Sequence, residues 1–331
     1  MIQALLLAWE ASSDANNTVR LNGPFGLELG TAEDVRNWNS EGSIEIHVKS
    51  EAAGNIKYQF GIPSDEAQYL VVQEKPASPP LAFSTRPRAF SYLCAERLGP
   101  RNILGASPLP DDKLEVGARG EHCAQILSIL GDKPIEDGNR LHPDRVQGTP
   151  ALLKYEVERW LTEIARPVEI NAESYLGAMV TSLRFRSPGG EWVRAPNMGF
   201  GVSYALPIIL GGLSALSGGL LVVENPEAHL HPAGQSRMGV FLAWLAGRGV
   251  QVILETHSDH VLNGIRRAIG EHKYLVHDQA AVHYFESQED EALRVHPLRF
   301  TSIGGVSDWP PGFFDQYQID VASLGRIRRQ S

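Results

Sequence analysis

The run Gly219-Leu-Leu-Val-Val-Glu-Asn-Pro-Glu-Ala-His-Leu-His-Pro232 decides the fold, together with its echo at Gly249-Val-Gln-Val-Ile-Leu-Glu-Thr-His-Ser-Asp259. Each is a short apolar run, rich in β-branched residues, that stops abruptly at acids, a proline or a histidine. A parallel strand buried on both faces has this pattern. In open α/β sheets ligands sit beyond the carboxyl ends of the strands, so Glu224, Asn225, Glu227 and His257 are expected on one rim. Met238, Phe241, Leu242 and Leu245 then share one helical face, and Val261, Leu262, Ile265 and Ile269 share another, with Gly270 past its end. Residues 218 to 285 therefore read as strand, helix, strand, helix, strand, with Ala281-Val-His-Tyr-Phe285 as the third strand.

Composition sets the outer bounds. With 331 residues, 43% of them hydrophobic and 21% charged, the chain can bury a large core in the manner of an ordinary globular protein. Its two cysteines, Cys94 and Cys123, make neither a disulfide framework nor a metal-site spacing and point to a reducing, cytoplasmic setting. The formal net charge of -9 does not advertise a nucleic-acid or membrane partner, and no run of about 18 apolar residues suggests a membrane span.

Upstream of the strand pair, Ile2, Leu5, Leu6 and Trp9 show helical spacing, while Ile44, Ile46 and Val48, then Ile56, Tyr58 and Phe60, alternate as strands around the turn Ala52-Ala-Gly-Asn55. Prolines 76, 79, 80 and 87 mark a connection. Helical runs follow around 122 to 130 and 151 to 164, and Arg97 and Glu121 read as exposed loop charges, with a place facing the ligand as the lesser alternative. Ala178 to Arg186 and Glu191 to Arg194 flank Ser187-Pro-Gly-Gly190 as a hairpin, with Leu183 and Phe185 on one face and Arg184 and Arg186 on the other. Another strand is expected over 292 to 300. His229 and His231 lack companions at ligand spacing and read as part of the loop after the first strand.

The segment Leu-Leu-Val-Val-Glu-Asn-Pro-Glu-Ala-His-Leu-His-Pro, then a helix, then Val-Ile-Leu-Glu-Thr-His-Ser-Asp, resembles the Walker B to switch-histidine segment of the ABC-type ATPases, in the AAA-family branch near the OLD and SMC proteins. Asn197-Met-Gly-Phe-Gly-Val-Ser-Tyr-Ala-Leu-Pro-Ile-Ile209 resembles that group's signature loop, a Gly-x-Gly-x-Ser entering a helix. Trp309-Pro-Pro-Gly-Phe-Phe-Asp315 resembles the short C-terminal domain of unknown function of one subfamily. Tyr92 to Arg101 and Gly117 to His122 are similar to the same subfamily.

The resemblance implies an α/β P-loop NTPase core of ABC type, a mostly parallel sheet flanked by helices with added antiparallel strands and an inserted helical lobe. Residues 1–80 would form the N-terminal part of the core, 81–175 the lobe and 176–331 the C-terminal part. It further implies ATP and Mg²⁺ as cofactors, hydrolysis at a dimer interface, and a homodimer or partner protein driven by closure. Nucleic acid enters by family analogy only. Carried residue by residue, Glu224 would hold Mg²⁺, Asn225 or Glu227 would place the attacking water, His257 would sense the γ-phosphate, and Gly201 and Ser203 would meet the nucleotide of the opposite subunit.

One departure stands out: no Gly-Lys-Ser or Gly-Lys-Thr occurs in the 331 residues. In the relatives the helix matching Ile2-Gln-Ala-Leu-Leu-Leu7 follows closely on that phosphate-binding loop. The N-terminal strand and the loop are therefore expected to be missing from this chain, leaving an unpaired sheet edge beside the strand at 250 to 255. The alternative reading is a truncated or degenerate module that hydrolyses nothing and binds a partner at that edge.

Overall fold

The computed structural model describes residues 1–13, 17–37, 42–50, 54–286 and 294–327. The chain opens with helix α1 (Ile2–Ser13), strand β1 (Thr18–Arg20) and the short helix α2 (Ala32–Val35). Strands β2 (Ile44–Ser50), β3 (Gly54–Gly61), β4 (Tyr69–Glu74), β5 (Phe90–Leu93) and β6 (Ile103–Gly105) follow. Helices α3 (Cys123–Leu130) and α4 (Leu153–Ile164) lead to β7 (Glu169–Tyr175), β8 (Val180–Arg186) and β9 (Val193–Arg194). Next come α5 (Phe200–Ser214), β10 (Leu220–Glu224), α6 (Pro232–Ala246), β11 (Gln251–Glu255) and α7 (Asp259–Gly270). Strands β12 (Ala281–Glu286) and β13 (Arg294–Arg299) and helix α8 (Gln316–Ile327) complete the described elements.

At the centre lies a three-stranded parallel sheet in the order β11-β10-β5. Strand β10 is the middle strand, and alternation along it splits the molecule into two apolar layers. Leu221 and Val223 enter the larger core, with residues of α3, α4, α5 and α6. Leu220 and Val222 enter the other, between the sheet, α1 and the antiparallel sheet β1-β4-β3-β2. All four side chains are 3% exposed or less, so polar residues are excluded from β10 until Glu224.

The larger core is anchored by Trp160 of α4 against Phe241 and Trp244 of α6, with ring centroids 4.9 Å apart in both pairs. Helices α6 and α7 approach unusually closely: a Cβ on Gly239 would lie 2.2 Å from the Val261 carbonyl oxygen, and one on Gly264 1.9 Å from that of Ser236. Only glycine at both positions permits this approach. A third apolar cluster joins Val240 and Ala243 of α6 to Leu262 and Ile269 of α7, Leu298 and Phe313.

Several expectations from the sequence are met in detail. The helical run around 122 to 130 is α3, that around 151 to 164 is α4, and β8 and β9 form the hairpin, with Leu183 and Phe185 buried and Arg184 exposed. Strands β2 and β3 pair from Ile44–Phe60 to Ser50–Gly54; Ala52 and Ala53 of the turn lie outside the described residues, as do residues 292 and 293 of the last expected strand.

Two readings need correction. The segment 281–285 is not a third parallel strand: β12 pairs antiparallel with β13 in a separate two-stranded ribbon. Its residues alternate between exposed and half-buried, which fits a strand covered on one face and not one inserted between two layers. The lobe drawn from residue 81 also contains β5, which belongs to the central sheet, in register with β10 from Phe90–Leu220 to Leu93–Val223. Residues 81–175 are not wholly helical, since β6 and β7 flank β8 in an antiparallel sheet.

Candidate functional site

Strands β10 and β11 run in register from Leu220–Gln251 to Glu224–Glu255, so two carboxylates end the strands at the same level of the rim. Glu224 is half-buried, and its Oε2 accepts a hydrogen bond from the Ala95 N–H at 3.1 Å. The Tyr92 hydroxyl lies beside the same group, and its own burial, then that negative charge, push its pKa well above the ordinary phenol range.

Past Glu224 the chain turns sharply. Asn225 takes a left-handed backbone, φ 43°, a region in which Asn is enriched among residues with a side chain. Its N–H donates to the Glu255 carbonyl at 3.0 Å, which carries the sheet ladder one residue further. Glu227 then reaches across to the neighbouring strand end. Its Oε2 accepts from Thr256 Oγ1 at 2.7 Å and its Oε1 from the His257 N–H at 2.9 Å. The His257 ring projects to solvent, 82% exposed, with Nε2 2.8 Å from Glu255 Oε1. The structure thus brings Glu224, Asn225, Glu227 and His257 together on one rim.

Helix α5 enters this neighbourhood from the side. A Cβ on Gly201 would lie 3.1 Å from the His229 carbonyl oxygen, so a side chain there would press on the loop after β10. The His229 ring lies between Phe200 and Tyr204, with centroids 4.9 and 4.4 Å away, and His231 caps α6 through Nδ1. Ser203 Oγ is turned inward, buried without a hydrogen-bond partner, beside a small cavity lined by Leu98, Gly99 and Pro207.

Sequence reasoning missed two contributors. Glu255 carries a signal in hindsight, since it closes an apolar run that matches the Glu224 run. Arg97, read as an exposed loop charge, is 2% exposed and sits under the rim. Its Nη1 donates to the carbonyls of Cys94 at 2.9 Å and Glu224 at 2.6 Å, and Nη2 to that of Asn225 at 2.7 Å. Its guanidinium carbon lies 5.4 Å from the Tyr204 ring centroid. Burial pulls its pKa below the usual guanidinium range. Loop spacing alone cannot show that a charge turns inward, because only the folded neighbours supply the carbonyls that accept it.

Among the described residues, one cluster away from the rim brings ligand-type atoms within 4.8 Å of one another: His142, Asp144 and Glu163. His142 Nδ1 accepts from the Asp144 N–H at 3.2 Å, so the ring proton is on Nε2, facing Glu163 Oε1 at 3.0 Å and off the line of a good hydrogen bond. With Nδ1 taken by the main chain and the Nε2 proton turned to Glu163, the ring has no free lone pair for a metal ion. The contact with His142 also holds the Glu163 carboxyl below its ordinary pKa.

The rim suits half of a nucleotide site. A hard divalent cation takes oxygen ligands, and Glu224 offers a half-buried carboxylate oriented by a backbone N–H. A phosphate cradle of the Gly-x-x-x-x-Gly-Lys-Ser/Thr type does not occur in the sequence.

Comparisons with known proteins follow these lines. Residues 124–263 match a family described as an AAA domain, for which the description suggests the AbiEii toxin of a Type IV TA system. Residues 275–324 match a family described as "Protein of unknown function (DUF3696)". Among curated proteins none matches. Solved structures similar to the chain include an SMC head domain from Thermotoga maritima, at 12% identity and TM-score 0.37, covering 89% of this chain and 84% of that one. An SMC ATPase from work on ATP-driven dimerisation and DNA-stimulated activation matches at 12% identity and TM-score 0.32, over 44% of this chain and 83% of that one. An SMC head bound to the C-terminal winged-helix domain of ScpA matches at 13% identity and TM-score 0.33, over 44% of this chain and 42% of that one. At such scores the structural likenesses carry no weight of their own. Among the described residues no helix is long and apolar enough to cross a membrane. The AAA-domain match contains β10, the rim loop and β11, and it supports an ABC/SMC-like P-loop ATPase type for this part of the chain.

Proposed function

We propose that this chain supplies the hydrolytic half of an ATP site that is completed at a dimer interface, and that closure around ATP moves a partner protein. The observation that carries the reading is the joined rim: Glu224 at the end of β10, and Glu227 bridging from the β10 loop to Thr256 and His257 beyond β11. A rim built this way keeps an acid and a histidine in a fixed relation while leaving the histidine ring open to solvent.

In this reading Glu224 holds Mg²⁺, and the ion when bound neutralises developing charge on the transferred phosphoryl group. Asn225 cannot take a proton at neutral pH, so Glu227 is the group that orients water and accepts one. In the structure both Glu227 oxygens are engaged, and water activation requires the Thr256 bond to yield. His257 reaches the γ-phosphate from the neighbouring strand end. The first-turn N–H groups of α5, at Gly201 to Ser203, face the phosphate of the opposite subunit, a role that falls to the backbone because Ser203 Oγ is turned inward. The reading requires a phosphate-binding loop of a kind that these 331 residues do not hold.

A second reading, a non-hydrolysing interaction module, draws on a specific feature. Among the described residues β11 has β10 on one side and no strand on the other, and Val252 to Glu255 are only half-buried. The test is a calorimetric titration with Mg-ATP of this chain and of a form extended upstream in its gene. The first reading expects binding by the extended form, with Glu224→Gln lowering its turnover about a hundredfold or more. No binding by either form would sink it in favour of the module.

A further inference from the structure

Arg97 sits where three segments meet, and neither the fold nor the bulk of the core needs a charge there. Its guanidinium is 2% exposed and bonds to no carboxylate. It spends its donors on three main-chain carbonyls, one from the segment after β5, one from the last residue of β10 and one from the turn that follows. Burying a cation among neutral acceptors costs free energy that an apolar side chain would avoid. Its Nε finds no partner at all, so the arrangement is not optimised for stability.

The geometry explains what the charge secures. A strand end that turns through a left-handed residue leaves its last carbonyls outside the sheet ladder, and here those are the carbonyls of Glu224 and Asn225. A planar fork grips two successive carbonyls from two nitrogens held at a fixed separation, whereas a lysine offers all its donors from one freely rotating nitrogen. The same fork holds the Cys94 carbonyl, and the next N–H along that segment, from Ala95, meets the Glu224 carboxylate. Arg97 therefore fixes both the backbone that carries the carboxylate and the backbone that orients it. From above, the Tyr204 ring of α5 covers the guanidinium and touches His229 of the same loop.

We propose that Arg97 is the positioning residue of the rim: it locks the turn Glu224-Asn225 to the segment after β5 and so sets the direction of the Glu224 carboxylate. The role builds on the ATPase reading for its use, but the lock itself is a property of the fold. The variants are Arg97→Lys and Arg97→Gln. Amide hydrogen exchange resolves the two questions. Expected for a folded Arg97→Lys is exchange about tenfold or more faster over the peptide carrying 224 to 231, with the α4 and α6 interiors unchanged. In a form that turns over ATP, kcat falls about tenfold or more while KM for Mg-ATP stays within about twofold, because the metal-holding group is misdirected and not removed. Exchange at 224 to 231 equal to that of the parent, in a variant that remains folded, overturns the lock. Uniformly faster exchange throughout the chain overturns it too, since it marks a purely structural residue. If the parent neither binds nor hydrolyses ATP but the local exchange still rises in the variant, the lock stands and the ATPase reading falls.

Discussion

Strands β10 and β11 are nearly the same sequence in the same sheet, Leu-Leu-Val-Val-Glu beside Gln-Val-Ile-Leu-Glu, paired in register, yet they live in different surroundings. The first has neighbours on both sides and its four apolar residues are buried. The second has one neighbour among the described residues and presents a half-exposed series. Composition therefore marks both as interior parallel strands, and only one is satisfied as such. An apolar parallel strand left open on one side is unusual, because such edges template pairing with another chain. The difference locates an open sheet edge, among the described residues, at the outer side of β11, next to His257.

The sharpest way to break the comparison uses proline. The Gln251 N–H bonds to Gly219 and the Glu255 carbonyl receives the Asn225 N–H, so odd-numbered residues of β11 face β10, while Val252 and Leu254 direct their main-chain groups outward. Ile253→Pro removes a ladder bond and is expected to cost about 3 kcal/mol or more, whereas Val252→Pro should cost clearly less in this chain. Denaturant melts of the two variants decide it. Equal costs would mean that the outer side of β11 is already paired in solution.

A smaller effect separates the strands by packing. Leu221→Ala should lower stability by about 2–5 kcal/mol, and Leu254→Ala by markedly less, because part of the Leu254 side chain already meets solvent. The gap should narrow in any longer form or complex that covers β11, which repeating the melts in that form would show.

The smallest expected effect is a control that touches neither strand. Burial raises the Glu158 carboxyl on α4 to about 6 from 4.5, against the lowering effect of the Ile170 N–H, which donates to it at 2.7 Å. A raised acid favours folding most when protonated, so its contribution is full below about 4.5 and lost as pH rises through about 6. Glu158→Gln keeps the acceptor and should therefore stabilise the chain at pH 8 by about 1 kcal/mol and not at pH 4. Melting curves at both pH values check the sign.

What the sequence made legible follows the same division. Period and length were enough for β10, β11, α4, α6 and α7, where apolar spacing is long or repeated. They were not enough for β12, where Ala281-Val-His-Tyr-Phe285 fits a covered strand or a one-sided one equally. Its central His283 faces Pro297 in the ribbon, a pairing that suits an edge and not a sheet interior. Strand β5 escaped as well: four residues after a proline-rich connection carry no period, and only the register with β10 reveals them. At the rim, residues ending the apolar runs could be read forward. Arg97 could not, because two of the three carbonyls that accept from it, those of Glu224 and Asn225, lie 127 and 128 positions along the chain.

Because alternate residues of β10 root in opposite layers, neither layer can lose its packing while the other keeps it. Leu220 and Val222 would be stripped from one side as Leu221 and Val223 were from the other. The central strand is thus a mechanical rivet, and heating should dissolve both layers in one cooperative step. The β12-β13 ribbon stands outside that rivet. Its cluster meets the rest mainly through α6 and α7, so it can detach first and leave the rim of β10 and β11 standing.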